Sequence, residues 1–240
     1  MRCLVIGAGG LIGTPLTQAL VAAGHEVTAF DRFSRGIPQS TFEGATCIAG
    51  DFLNSADIKA ALVGQDYVFH FLSTTTPATA DNEPTLDLRT NVSQTVELLE
   101  LCVAAQVERF YYASSGGAIY GDQSLDLYAE NSPLHPVSPY GIGKLTIERY
   151  LDYFAAKSGL KSIALRISNP YGPNQHPSKR QGLIPIVLSR IQAGEPVIRL
   201  GDGSMVRDYL YVTDLVARIV RMVDQDSSQR VYNLGSGDGV

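Results

Sequence analysis

Short apolar runs alternate with amphipathic stretches along the first two-thirds of this chain, and that alternation sets its fold class. The opening run Met1-Arg2-Cys3-Leu4-Val5-Ile6-Gly7 is apolar at consecutive positions, as a strand buried on both faces requires. Residues 14–23 follow with apolar positions at helical spacing. Residues 25–30, 46–49, 67–72, 109–113 and 161–166 read as further strands, with helices over 55–62, 84–105 and 139–158 between them. Asn54 or Ser55 caps the helix over 55–62. This order predicts an α/β fold with a doubly wound parallel sheet. Right-handed crossovers gather the strand carboxyl ends on one edge, where Gly7, Asp31, Asp51, Leu72 and Ser114 all fall. Ligands bind at that edge in sheets of this kind. Beyond Arg166 the character changes, and residues 169–182 are rich in Pro, Gly, Asn and Gln, as a loop leaving the sheet would be.

The junction of the first strand and first helix carries Gly7-Ala8-Gly9-Gly10-Leu11-Ile12-Gly13. Glycines at 7, 10 and 13 let the turn close tightly, let backbone amides approach a pyrophosphate, and let helix and strand pack closely. The second strand ends in Asp31, where a carboxylate can accept bonds from adenosine ribose hydroxyls, which favours NAD over NADP. Arg32 follows directly and could hold a 2′-phosphate, so NADP stays open. These features predict a Rossmann-type dinucleotide-binding domain over residues 1–168. A smaller substrate-binding lobe, expected to be C-terminally truncated and able to return a strand to the sheet, is read over 169–240.

Redox chemistry is suggested by Tyr140 and Lys144, four apart in a helical stretch and therefore on one face. A nearby ammonium favours phenolate over phenol, drawing a group of ordinary pKa about 10 towards the range of a general base. His70, inside the apolar run Val68-Phe69-His70-Phe71-Leu72, reads as a satisfied core histidine. Arg207 offers a planar donor fork suited to diphosphate oxygens, with a salt bridge to Asp208 or Asp214 as the competing reading. Tyr209 could stack on a base or pack as a strand aromatic.

Composition narrows the alternatives. With 240 residues, 45% of them hydrophobic, the chain can bury a large core. A net charge of -5 offers no broad attraction to nucleic acid or to an anionic membrane. Cys3, Cys47 and Cys102 are widely spaced in apolar contexts, as buried reduced thiols of a cytoplasmic protein would be, and no metal-ligand spacing appears. The glycines at 7, 9, 10 and 13 interrupt the N-terminal apolar run, so neither an export signal nor a membrane span is read there.

Taken in order, several motifs resemble the extended short-chain dehydrogenase/reductases, in their NAD-dependent nucleotide-sugar epimerase/dehydratase branch. They are the glycine loop, Asp31-Arg32-Phe33-Ser34-Arg35-Gly36, Gly50-Asp51-Phe52, Asn91-Val92, residues 114–121, Tyr140 with Lys144, residues 166–173, and Gly201-Asp202-Gly203 running to Arg207-Asp208-Tyr209. The resemblance spans essentially the whole chain. It implies that Leu11 and Ile12 meet the pyrophosphate, that Asp51 and Phe52 flank the adenine, and that Leu72 lines the cofactor cleft. It further implies that Asn91 helps hold the catalytic loop, that Asn169, Leu183 and Arg207 hold the substrate diphosphate, and that the helices over 84–105 and 139–158 form a homodimer.

One departure stands out. The family places a Ser or Thr four residues before the Tyr-Gly pair to bond the reacting sugar hydroxyl, and here that position is Gly116. Ser115 is the nearest replacement and Ser114 the other candidate. Family dehydratases and decarboxylases carry a carboxylate in this stretch, where this chain has Gly117 and Ala118. Proton traffic at a second carbon therefore lacks its group. The expected activity is a nucleotide-sugar 4-epimerase, on a UDP-sugar in the first instance, working through a transient 4-keto sugar with NAD. A 4-keto-sugar reductase or sugar dehydrogenase using exchangeable NAD(P), and a non-catalytic dinucleotide sensor, are the alternatives.

Overall fold

A computed structural model describes residues 1–240 except 35, 38, 124–126, 174, 176–181, 200 and 226–228, and the side chain of residue 39. Arg35 of the second motif and half of the predicted loop over 169–182 thus lie outside the described residues. Seven parallel strands form the main sheet: β1 (Arg2–Ile6), β2 (Glu26–Asp31), β3 (Ala45–Ala49), β4 (Tyr67–His70), β5 (Arg109–Ser115), β6 (Lys161–Ile167) and β9 (Val231–Leu234). Their order is β3-β2-β1-β4-β5-β6-β9. The chain winds outward from β1 to β3, returns to β4, and winds the other way, which leaves a crevice beyond the carboxyl ends of β1 and β4. β7 (Asn169–Tyr171) and β8 (Tyr209–Tyr211) form a separate parallel pair, so the stretch read as leaving the sheet begins with a short strand.

Each face of the sheet is covered by helices, and the residues that cover it follow from the strand periodicity. Cys3, Val5, Phe69, Tyr111, Ile163 and Leu165 face α1 (Gly13–Ala22) and α9 (Val212–Asp224). Leu4, Ile6, Val68, Phe110 and Tyr112 face the other way, towards α5 (Gln94–Ala104) and α7 (Pro139–Ser158). Asn54 caps α2 (Ser55–Ala61), accepting from the Ala56 amide at 3.1 Å. Ser138 caps α7, with Pro139 at its first turn and Gly159 in the left-handed conformation at its end.

The long helix predicted over 84–105 is continuous over 84–104 but widens to a π turn within it. It consists of α4 (Pro84–Asp87), a π turn over Leu88–Ser93, and α5, and it is preceded by α3 (Pro77–Asn82), which periodicity did not reveal. A short helix, α6 (Gly116–Ile119), also interrupts the loop after β5. In the second lobe α8 (Leu183–Gln192) buries none of its residues.

A buried ion pair ties α7 to the sheet. Arg166 of β6 donates to both carboxylate oxygens of Glu148, at 2.8 Å from Nη2, and both side chains are almost fully withdrawn from solvent. Arg166 also donates to the Tyr120 hydroxyl and the Glu130 carbonyl, each at 2.9 Å. Replacing one partner strands the other charge in a dry site. Glu148→Gln is therefore expected to lower unfolding free energy by roughly 3–5 kcal/mol, read by urea titration, and a loss below about 1 kcal/mol would contradict this account.

Candidate active site

The glycine loop fits a dinucleotide on steric grounds. Gly7 has φ +89°, and a Cβ there would lie 2.8 Å from the Leu72 nitrogen, where β1 and β4 part. A Cβ on Gly13 would overlap the Gly7 carbonyl oxygen, so the first turn of α1 reaches the strand only because position 13 has no side chain. Gly10 closes the turn through its amide to the Gly7 carbonyl, 3.0 Å. Leu11 and Ile12 lie half-buried at the helix start. Asp31 faces this loop: its Oδ2 accepts from the Gly9 amide at 3.0 Å and its Oδ1 from Phe33 at 3.3 Å. Arg32 is exposed beside it.

Asp51 and Phe52 follow β3 along the same edge. Asp51 accepts from the Leu53 amide at 3.0 Å, and its own amide donates to Asp57 at 2.8 Å. Phe52 departs from expectation in its side chain. The ring is buried against His70, centroids 5.0 Å apart, because the apolar ring belongs to the core, and only backbone is left to flank a base. His70 is a core histidine as expected, though only half satisfied: Nε2 pairs with the Thr95 hydroxyl at 2.9 Å, buried Nδ1 has no hydrogen-bond partner among the described residues, and burial, aided by the Lys144 charge, pushes its pKa down to about 3.

On α7, Tyr140, Lys144 and Glu148 stand one turn apart on the face packed against β5. Lys144 Nζ donates to the Ala113 carbonyl at 2.8 Å and lies 4.8 Å from the ring centroid of Tyr112 and 5.4 Å from that of Tyr140. Tyr140 is half-buried, with its hydroxyl in dense surroundings. The expected depression of its pKa is not what the protein alone produces. Burial, reinforced by the Asp87 carboxylate, pushes Tyr140 up to about 12. Burial likewise pulls Lys144 down to about 8, against the opposing charges of Asp87 and Glu148.

The two serines separate cleanly. Ser114 is buried and its hydroxyl donates to Glu148 at 2.6 Å, so it is committed to the α7 anchor. Ser115 ends β5, half-buried, with no hydrogen-bond partner among the described residues. A Cβ on Gly116 would lie 3.1 Å from the Arg166 carbonyl oxygen, so fixed backbone crowds the position where the family carries its hydroxyl.

Asn91 is also placed differently from expectation. It accepts from the Thr74 amide at 2.9 Å and donates to Thr75 and Asp87, each at 2.8 Å, so it pins the segment after β4 and not the loop over 114–121. Asn169 joins the two regions. Its Nδ2 donates to the Asp208 carbonyl at 2.8 Å, and its Oδ1 lies 3.8 Å from where a Gly117 Cβ would be. Arg207 is exposed and, among the described residues, pairs with neither Asp208 nor Asp214; its backbone bonds Val240 in both directions, at 2.9 and 3.0 Å. Asp208 is held instead by Ser168, Ser236 and Gly237, whose bonds keep its carboxyl below the usual range although burial opposes this. Leu183 is exposed at the start of α8, and Tyr209 meets Tyr171 edge-on at 6.4 Å. The residue that sequence reading missed is Asp87, buried beside Tyr140 and Lys144. No sequence signal set it apart: it stands four positions before Asn91, on a face that also carries Thr95.

Comparison with known proteins identifies the family. The chain is 32% identical over 243 residues to a UDP-glucose 4-epimerase of Mycolicibacterium smegmatis, covering 99% of this chain and 78% of that protein. The crystal structure of UDP-glucose 4-epimerase with UDP-glucose from Thermotoga maritima superposes with a TM-score of 0.91 at 35% identity, covering all of this chain and 78% of that one. That of Thermus thermophilus UDP-glucose 4-epimerase in complex with NAD gives 0.88 at 32% identity, covering all of this chain and 79% of that one. The profile of the NAD dependent epimerase/dehydratase family matches residues 3–235, and the chain belongs to that family.

Proposed function

We propose that this protein is an NAD-dependent nucleotide-sugar 4-epimerase, acting on a UDP-sugar. The observation that carries the proposal is the convergence of the glycine cradle, the Tyr140–Lys144 turn and the uncommitted Ser115 hydroxyl on one sheet edge, in a loop with no carboxylate at 117 or 118. The UDP-sugar and NAD complexes of similar enzymes support the choice of ligands. NAD, when bound, supplies reversible acceptance of hydride from sugar carbon 4. The glycine loop with Leu11 and Ile12 holds its pyrophosphate, Asp31 its adenosine ribose, the Asp51–Phe52 backbone its adenine, and Leu72 the cleft wall.

The remaining steps belong to the chain's own groups. Tyr140 accepts the proton of the sugar O4 as carbon 4 is oxidised, and returns it after the 4-keto sugar has presented its opposite face. Because the phenol sits near 12 in the protein alone, with Lys144 already in place, ionisation at neutral pH draws on the positive charge of the oxidised nicotinamide. Ser115 orients the same hydroxyl, while Asn169, Leu183 and Arg207 receive the nucleotide diphosphate. Exposed Leu88, Ile142, Tyr150 and Tyr153, on the π turn and α7, support a homodimer across these helices in a cytoplasmic enzyme.

Purified protein is expected to interconvert UDP-glucose and UDP-galactose without added cofactor. Stoichiometric consumption of external NAD(P)H would instead establish a reductase. Tyr140→Phe should cut kcat by roughly 10²–10⁴-fold while the affinity for NAD, measured by calorimetry, persists. The sign of the pH dependence follows from Lys144, whose ammonium is lost as pH rises through about 8. We expect kcat/KM to decline above about that pH, and the limb to vanish from the residual activity of Lys144→Met. Sedimentation should find a dimer that Tyr150→Asp converts to monomer; a monomeric wild type at micromolar concentration would exclude this interface.

A further inference from the structure

We infer that Asp87 is a positioning residue of the catalytic centre, whose carboxylate is seated against the backbone of Gly143 to hold the Tyr140–Lys144 turn and to oppose the Lys144 ammonium with a fixed negative charge. This rests on the function proposed above, whose steps do not use Asp87, and extends it. Four observations place the group. Asp87 is 3% exposed, on the helix that meets α7. Its Oδ1 accepts from the Thr75 hydroxyl and from Asn91 Nδ2, a contact made where the chain passes from α4 into the π turn. Its Oδ2 lies where a Cβ on Gly143 would be, so this turn of α7 approaches the carboxylate only because position 143 is glycine. Among the described residues, no Lys, Arg or His nitrogen forms an ion pair with it.

A buried carboxylate with two neutral donors and no ion pair is held by the wider field. The opposite charge in that field is Lys144, one residue beyond Gly143. The influence of Asp87 on its neighbours has the corresponding sign, favouring the protonated forms of Lys144, Tyr140 and Tyr112 alike. The other buried carboxylate near Lys144, Glu148, is already matched by Arg166 of β6. Tyr112 of β5 and His70 of β4 lie beneath the lysine and carry no charge at neutral pH. On the helices packed around α7, Asp81, Arg89 and Glu100 are exposed, and half-buried Glu97 bonds Ser55 and Gln94. Asp87 is therefore the unmatched charge of this centre. It does not touch substrate; it fixes how readily the lysine beside the base keeps its proton.

Asp87→Asn removes the charge at nearly constant volume. The phenol of Tyr140 can be titrated by tyrosinate absorbance, with the titration of a Tyr140→Phe protein subtracted. Its midpoint is expected to fall from about 12 by roughly one unit. The alkaline limb of kcat should also move to lower pH by a similar amount, with KM for the nucleotide sugar little changed. An unmoved phenol midpoint together with an unmoved limb overturns the inference. Should Asp87→Asn fail to fold, Gly143→Ala decides. Alanine favours a helix more than glycine does, while its Cβ displaces the carboxylate, so the same downward shifts are expected in a folded protein and their absence counts against us. A wild type that does not interconvert epimers refutes the functional reading alone, because the phenol titration needs no turnover.

Discussion

An ammonium withdrawn from water has to be compensated by fixed dipoles and charges. Around Lys144 that compensation draws on most of the fold. The Ala113 carbonyl comes from β5, the aromatic faces of Tyr112 and Tyr140 from β5 and α7, the Asp87 carboxylate from α4, and Glu148 from the next turn of α7. Each contributor is itself pinned. Glu148 is clamped by Arg166 and Ser114, Asp87 by Thr75 and Asn91, and α7 by the Ser138 cap. The lysine's charge is thus a property of the assembled sheet and helices, which is why it can be tuned so far from its behaviour in water.

The same constraint explains a phenol that is hard to ionise in the protein alone. Burial removes water from the Tyr140 hydroxyl, and Asp87 adds a negative field. Ionisation then depends on charge brought in with the dinucleotide. In the mechanism proposed above, Tyr140 would therefore act as a base only once the cleft is filled.

Much of this architecture was legible in the residues. The apolar runs located the strands of the first two-thirds because a parallel sheet buries both faces, and the glycine loop located the cleft because its spacing is dictated by backbone contact. What escaped was set by tertiary contact. The π turn over Leu88–Ser93 keeps the apolar period of a helix while changing its backbone, so the pattern could not announce it. The resemblance set Phe52 with Asp51 at the adenine, yet its ring packs against His70 in the core. Ser115 ranked above Ser114 only by its place in the sequence; the reason to set Ser114 aside is Glu148, more than thirty residues away, which claims its hydroxyl. Asp87 was silent because a lone carboxylate in a helix most often faces water.

The last strand has a temporal meaning. Asn233, beside β6 in the sheet, accepts from the Tyr120 hydroxyl, donates to the Tyr128 carbonyl, and bonds Glu130 through its amide, across 113, 105 and 103 residues respectively. Contacts so distant along the chain form late, because loop closure precedes their reward. The strand farthest along the chain thus clasps the segment after the short helix that follows Ser115, and shape at that end of the sheet depends on β9 being docked.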